Sequence, residues 1–421
     1  MNTREKTFWI LFGFGAIIGV LSILWRLESG ETMTALSSTI PWGIWVAFYT
    51  YFIGLSIGLF LYSTLIYVFG VSRLEKTGRT ALLASVFSLA AGMLFIGIDL
   101  GHPERFWRIM TNWNYTSILA WETLFYLFYV LALLASLWYI MRCDLADLAE
   151  NSTGWKSSLY RVLSLNYACP KTEGELKVCH AQSMKIVKII GILGIPAAIG
   201  SAGLGGALFA VVGAKPFWYS AVVPIVFVVS ALASASAVMV FLYYFLGRRE
   251  DRDYYEIIKT ASIYMVVFIV LIPVMLLFEA LIGFYSGVPE RAEVFRVILF
   301  GPFPYTFWVG QLLLGTIVPV LIFLFRRDNP EWLGLAGLSA AIGLITVRLN
   351  LIIPAFVIPP IRGLDRAYFD ERWNYFYFPS FFEWITTLFP IALFIFLFAV
   401  AYKNLPMIDR MQIKLKGGAE R

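Results

Sequence analysis

WGIWVAFYTYFIGLSIGLFLYSTLIYVFG, residues 42–70, contains no Asp, Glu, Lys or Arg. At 1.5 Å of helical rise per residue, about 20 apolar residues cross the hydrocarbon core of a bilayer. This stretch therefore predicts a transmembrane helix. Nine further stretches of the same kind accompany it, at 8–25, 80–98, 117–141, 185–213, 218–246, 257–285, 305–325, 332–358 and 380–402. They are too long and too uniformly apolar for the short alternating strands of a membrane barrel. Of 421 residues, 60% are hydrophobic and 14% charged, where soluble domains carry roughly 25% charged residues. The expectation is an all-α integral membrane protein with about ten transmembrane helices and no separate water-soluble catalytic domain. Arg4, Lys6 and a short apolar run open the chain in the manner of a signal peptide. No small-residue cleavage site follows Trp25, so the segment reads as a retained helix.

Lysine and arginine in the connections orient such a chain. With the N-terminus in the cytoplasm, the inside segments hold 23 of the 33 basic residues and the outside segments 9, while Arg348 lies within a helix. Both termini are thus expected on the cytoplasmic side of a prokaryotic inner membrane. The basic balance follows from topology and calls for no nucleic-acid partner. Cys143, Cys169 and Cys179 all fall in the long inside connection, 142–184. A reducing compartment disfavours a disulfide there, and their spacing with His180 fits no zinc pattern. Free thiols and no bound metal are expected.

That connection separates two halves that echo one another. Pro41-Trp42 opens the second predicted span, which carries Gly54, Ser56 and Gly58. Pro216-Phe217-Trp218 opens the sixth, which carries Ser230 and Ser234. Small residues four apart let helix backbones approach closely. Asp99 and Glu279 lie near the ends of the third and seventh spans, and Tyr115-Thr116 and Tyr305-Thr306 open the fourth and eighth. Matched helices run in the same direction, so the expectation is two four-helix bundles related by a parallel repeat, plus two flanking helices. The divisions are 1–41 (flanking helix and outer loop), 42–213 (first bundle), 214–358 (second bundle) and 359–421 (outer loop, last helix and tail).

Ionisable groups inside a bilayer are costly and mark sites or pathways. Here they are Glu122, Glu279, Arg348 and Glu383, with Asp99 and His102 at a helix end. Helical rise puts the three glutamates roughly 5–9 Å below the outer surface and Arg348 roughly 15 Å in. Glu383 reads as an interfacial residue at a helix N-terminus, and Arg348 as an ion-pair partner for Glu279. The segment DLGHPERFWRIMTNWNYTSILAWE, 99–122, gathers an acid, a histidine, two arginines and an intramembrane acid at the outer face. A membrane b haem needs two histidines on facing helices. The only two in this chain, His102 and His180, lie in connections on opposite sides, and no CxxCH occurs. A chain that handles electrons without haem must hold an organic carrier and pass electrons to another subunit.

The runs DLGHPERFW (99–107) and NYTSILAWE (114–122) resemble the outer connection of polysulfide-reductase/NrfD-like membrane subunits. PWGIWVAFYTYFIGLSIGLFLYS (41–63) and GALFAVVGAKPFWYSAVVPIVFVVSAL (206–232) resemble the same family. RLNLIIPAF (348–356) and YFYFPSFFEW (375–384) are similar to its ten-helix branch, which includes hydrogenase-2-type and quinone-reductase-complex membrane subunits. The resemblance implies a haem-free anchor that binds quinone, menaquinone sooner than ubiquinone, near the outer face of the first bundle. It implies an iron–sulfur partner subunit there, with a molybdopterin, hydrogenase or multihaem cytochrome c subunit beyond. It carries Asp99, His102, Arg105, Ser117 and Glu122 onto the family's outer motif.

A quinone ring needs hydrogen-bond partners at both carbonyls and apolar walls. Glu122 and His102 are expected as the proton-transfer pair, with Asp99 behind them. Trp42, Trp45, Tyr49 and Trp121 would supply walls, and Arg105 and Ser117 further contacts. Glu279 and Arg348 are the polar candidates of the second bundle, as a vestigial site or proton path. A histidine titrates near neutral pH, which suits proton exchange. Two other classes compete: a secondary transporter, whose intramembrane charges would sit at midplane beside broken helices, and a structural anchor without quinone.

Overall fold

A computed structural model describes residues 3–361, 363–368, 370 and 372–407, with side chains from residue 13 onward, residue 173 apart. The principal elements are helices α1 (Thr3–Ser29), α2 (Ile44–Tyr67), α3 (Gly78–Asp99), α4 (Ile118–Asn151), α5 (Trp155–Leu163), α6 (Glu173–Ala210) and α7 (Val222–Leu246). They continue as α8 (Tyr254–Tyr285), α9 (Pro289–Phe300), α10 (Thr306–Arg326), α11 (Pro330–Gly343), α12 (Ile345–Ile352) and α13 (Phe381–Asn404). Nine spans among the described residues are long and apolar enough to cross a membrane, and they fall on nine of the ten predicted stretches. The remaining stretch, 8–25, falls on α1, 27 residues long. The protein is a multi-pass, all-α membrane protein.

α2, the helix that decided the fold in the sequence, is buried along nearly its whole length and packs against α3, α6 and α7. Its polar residues face neighbours, not lipid: Ser56 Oγ donates to the Ser85 carbonyl at 2.7 Å and lies 2.5 Å from the Tyr129 hydroxyl. Gly58 faces the Ala231 carbonyl of α7 so closely that any side chain there would collide with it. The two small-residue runs picked out in the sequence thus meet across the α2–α7 seam. Pro196, Pro273 and Pro390 lie inside α6, α8 and α13 without ending them, as membrane helices permit when neighbours satisfy the freed backbone groups. The first half of α10, Thr306–Ile317, is π-helical. Such segments are rare and concentrate at functional sites.

One expectation about the connection 142–184, that of free thiols, needs correction. The connection is largely helical, because α4 runs on to Asn151, α5 follows, and α6 begins at Glu173. Arg79 of α3 anchors it, donating to Asp144 Oδ2 at 2.6 Å, the Pro406 carbonyl at 2.7 Å and the Ile140 carbonyl at 3.0 Å. The expected free thiols are not all free: Cys143 and Cys169 form a disulfide. The end of α4 and the segment leading into α6 bring residues 26 apart in sequence to a Cα–Cα distance of 5.2 Å, which spacing along the chain does not reveal. Cys179 stays free and buried beside the bond.

Candidate functional site

Glu122 sits one turn into α4 and is buried. It faces Gly205 of α6, where a β-carbon would stand 3.0 Å from Glu122 Oε1 and 3.8 Å from the Phe227 ring of α7. The glycine therefore makes the space the carboxyl occupies. Glu122 Oε2 has no hydrogen-bond partner, and neither have the hydroxyls of Tyr126 and Ser201, though all three atoms are buried. Tyr126 follows Glu122 by one turn on α4, and Ser201 precedes Gly205 by one turn on α6, so helical spacing puts each on its partner's face. Tyr49 of α2 lies within electrostatic reach of Glu122 and Tyr126. Buried polar groups are nearly always paired, and each orphan calls for an explanation such as a bound ligand or water. Three of them on the packed faces of α4 and α6, beside Tyr49 of α2, make a polar seam with hydrogen-bonding capacity left to fill.

The other residues of the outer motif do not converge on this seam. His102 is exposed, its Nδ1 3.1 Å from Glu104 Oε1, and Arg105 Nε lies 3.3 Å from the same oxygen. Among the described residues no hydrogen bond joins His102 to Glu122. Asp99 ends α3 on a different side, near Arg26, Glu31 and Glu383, and its carbonyl accepts from Arg26 Nη2 at 3.2 Å. Ser117 is the N-cap of α4, without a side-chain capping bond.

The aromatic candidates also divide. Trp121 is partly exposed, donates through Nε1 to the Tyr115 carbonyl at 2.9 Å and meets Trp113 edge-on. Trp45 is buried with Nε1 unpartnered and the Arg26 guanidinium 5.7 Å from its ring. Trp42 stacks on Trp218 and meets Phe209 and Phe356 edge-on, which ties α2 to α6 and the second half. Lys215 lies over Phe356 and donates to the Ala355 carbonyl. Partial burial in this connection lowers its ammonium below the ordinary lysine value.

The expected Arg348–Glu279 pair is absent. Glu279 instead accepts from Arg291 Nη2 and Ser220 Oγ, both at 2.5 Å, because α9 folds back beside α8 and brings Arg291 to it. Arg348 is fully buried, donates to Ser230 Oγ at 2.9 Å and to the Phe227 carbonyl at 3.3 Å, and lies 3.6 Å over the Phe227 ring. Its Nη1 has no partner. Glu383 does sit at the N-terminus of α13, in a capping box with Ser380. It is buried, not solvated: it accepts from the Ala35 amide at 2.9 Å and the Tyr377 hydroxyl at 2.6 Å.

A cavity of about 60 Å³ lies between α7, α8, α10 and α12, lined by Phe217, Val222, Glu279, Gln311 and Asn350 among others. Asn350 Nδ2 donates to Gln311 Oε1 at 2.7 Å and Thr306 Oγ1 to Asn350 Oδ1 at 2.6 Å, at the π-helical part of α10. A cavity that takes up benzene measures about 150 Å³, so this void admits no ring as it stands. The unpaired groups around Glu122 weigh more heavily than this void. Tyr126 was legible from its spacing to Glu122. Ser201, Gln311 and Asn350 were not, because only tertiary packing gives them their neighbours.

Residues 32–360 match the family model described as polysulphide reductase, NrfD. A selenate reductase subunit of Mesobacillus selenatarsenatis is 41% identical over 97% of this chain and 96% of its own length. The Hdr-like menaquinol oxidoreductase integral membrane subunit of Archaeoglobus fulgidus is 25% identical over 92% of this chain and 90% of its own. A polysulfide reductase chain of Wolinella succinogenes is 22% identical over 68% and 83%. The chain belongs to the polysulphide reductase NrfD family of membrane subunits.

Proposed function

We propose that this chain is the haem-free, quinone-binding membrane subunit of a respiratory oxidoreductase complex. It would exchange electrons between the membrane quinone pool and an iron–sulfur partner subunit at the outer, periplasmic face. The observation that carries this reading is the trio of buried, unpartnered groups in the first bundle: Glu122 Oε2, the Tyr126 hydroxyl and the Ser201 hydroxyl. Two hydroxyl donors and a carboxyl fit a ring that bears two carbonyls, and Tyr49 and Phe227 are suited to wall it. A relative whose name says menaquinol oxidoreductase supports menaquinone as the quinone.

A bound quinone supplies a two-electron, two-proton couple. The protein's part is to orient it and to move protons. Tyr126 and Ser201 would hold the carbonyl oxygens, and Glu122 would exchange a proton with the bound ring. Asp99 and His102 lie apart from this seam, and their proposed role is proton exchange with the outer aqueous phase. The partner would dock on the outer connection, where His102 and Arg105 are exposed beside Phe106 at 66%, Trp107 at 51% and Tyr115 at 76% exposure. A molybdopterin-type catalytic subunit beyond it accords with relatives named for selenate and polysulfide reduction. The bias of basic residues supports a prokaryotic cytoplasmic membrane with both termini inside, and the division into bundles 42–213 and 214–358 remains part of the proposal.

A transporter reading would call for helices broken at midplane. The span 330–357 does break at Leu344, between α11 and α12, but its counterpart in the first half, α6, runs unbroken through Pro196, as α8 does through Pro273.

The test is extraction of the complex in mild detergent, with bound lipid-soluble cofactors quantified by mass spectrometry in wild type and Glu122→Gln. Stoichiometric quinone in the wild type, and loss of quinol-linked turnover in the variant, are expected. No quinone in the wild type together with full turnover in the variant would overturn the assignment.

A further inference from the structure

The inner side of the protein carries a second chemical grouping, remote from the Glu122 seam. Cys143 at the end of α4 is bonded to Cys169, and the free thiol of Cys179, on the first turns of α6, has its sulfur 3.8 Å from Cys143 Sγ. Cys143 and Cys179 are buried at 5% and 6% exposure, whereas Cys169 is partly exposed. The Tyr167 hydroxyl lies 3.3 Å from Cys179 Sγ. The Arg142 guanidinium packs 4.3 Å from the Tyr167 ring and donates to Ser183, one turn beyond Cys179.

Three sulfurs, one of them a free thiol beside a disulfide, are the parts that thiol–disulfide exchange requires. The location adds a second argument. The distribution of basic residues puts this connection in the cytoplasm, where lasting structural disulfides are rare and those that occur are mostly transient and catalytic or redox-sensing.

We propose that Cys143, Cys169 and Cys179 form a thiol–disulfide exchange site that reacts with thiols and disulfides of the cytoplasm. In the internal step Cys179 thiolate attacks Cys143 Sγ. The Cys143–Cys179 bond forms, the Cys143–Cys169 bond breaks, and Cys169 leaves as thiolate. The net change moves one proton from Cys179 to Cys169 and transfers no electrons. The step delivers a reactive thiol to the partly exposed position and frees the segment before α6 from α4. An external disulfide, such as oxidised glutathione, would then be attacked by Cys169 to give a mixed disulfide and one released thiol.

The experiment uses the full-length protein in detergent, equilibrated in glutathione buffers of graded ratio, alkylated with a maleimide without unfolding, and mapped by proteolysis and mass spectrometry. The expected result is label chiefly on Cys169 with a Cys143–Cys179 bond recovered, and loss of that label in Cys179→Ser. Label confined to Cys179 with only the Cys143–Cys169 bond recovered would overturn the proposal. So would label on all three cysteines at every glutathione ratio. Cys169→Ser is the second arm, because its partly exposed position tolerates serine. It should form Cys143–Cys179 under mild oxidant, and two persistent free thiols in this variant would also refute the exchange.

Discussion

Gly205→Ala is the most local perturbation of the Glu122 carboxyl. The new methyl carbon would stand 3.0 Å from Glu122 Oε1 and 3.8 Å from Phe227. The second distance is ordinary contact, while the first forces the carboxyl to give way by a few tenths of an ångström. Alanine in a helix interior gains roughly 0.5–1 kcal/mol over glycine. Overpacking costs about 1–3 kcal/mol, here at the low end because one atom pair is tight and it lies at the end of a side chain. The two terms nearly cancel, so the melting temperature in detergent should move by no more than about 2–4 °C. Activity should not be spared, since a misplacement of 1 Å costs on the order of 100-fold. Scaled to about 0.3 Å, that is a loss of roughly fourfold in quinol-linked turnover. Gly203→Ala is the internal control: no atom lies within 4 Å of its β-carbon position, so it gains the same helix propensity with no clash. Turnover and melting temperature would be measured for both variants in the assembled complex. If both variants turn over like wild type, or both lose activity alike, the idea that the glycine shapes the carboxyl's position is wrong.

Two further substitutions separate function from stability. Arg348→Met removes a fully buried guanidinium that has no carboxylate partner among the described residues. A buried charge without an opposite charge beside it is costly, and an apolar side chain of similar length carries no such cost. An unchanged or raised melting temperature with lost turnover is therefore expected, and the reverse pattern would make Arg348 a purely structural residue. Asp144→Asn weakens the buried Arg79–Asp144 ion pair, and loss of a charge-assisted hydrogen bond should cost about 1.5–3 kcal/mol. It would be read as a lower melting temperature and yield, with turnover per folded molecule retained; a loss of specific turnover at unchanged stability would contradict that role.

The spanning helices were legible because a bilayer leaves a one-dimensional record, long runs without charge. The small-residue runs of α2 and α7 marked close backbone approach in the sequence, and that the two runs meet one another came from the fold. Partners were not legible. Glu279 looked available to Arg348 because both were intramembrane charges in one half, yet the fold-back of α9 gives it Arg291 instead. His102 and Glu122 share a short motif, and α4 carries the glutamate inward while the histidine stays on the outer loop. The disulfide was missed for the same reason: its two cysteines are brought together by the turn through α5, which no local pattern announces.

The two halves of the molecule are more closely joined at the site than their division suggests. Phe227 belongs to α7 of the second half, yet its ring faces the space at Gly205 that also holds the Glu122 carboxyl of the first. It also meets Arg348, whose guanidinium lies over the ring and donates to the Phe227 carbonyl. A buried acid and a buried base, each with an unpaired polar atom, thus share one aromatic neighbour at the seam. Each is costly alone. Direct pairing would offset that cost, but Arg348 donates to Ser230 and to the Phe227 carbonyl instead, so the phenylalanine is the residue the two groups have in common. A guest whose two ends accept hydrogen bonds would lower the cost of both groups at once. On this argument Phe227, which carries no chemistry of its own, sets the spacing of the site, and an effect of Arg348→Met on turnover should be transmitted through that ring.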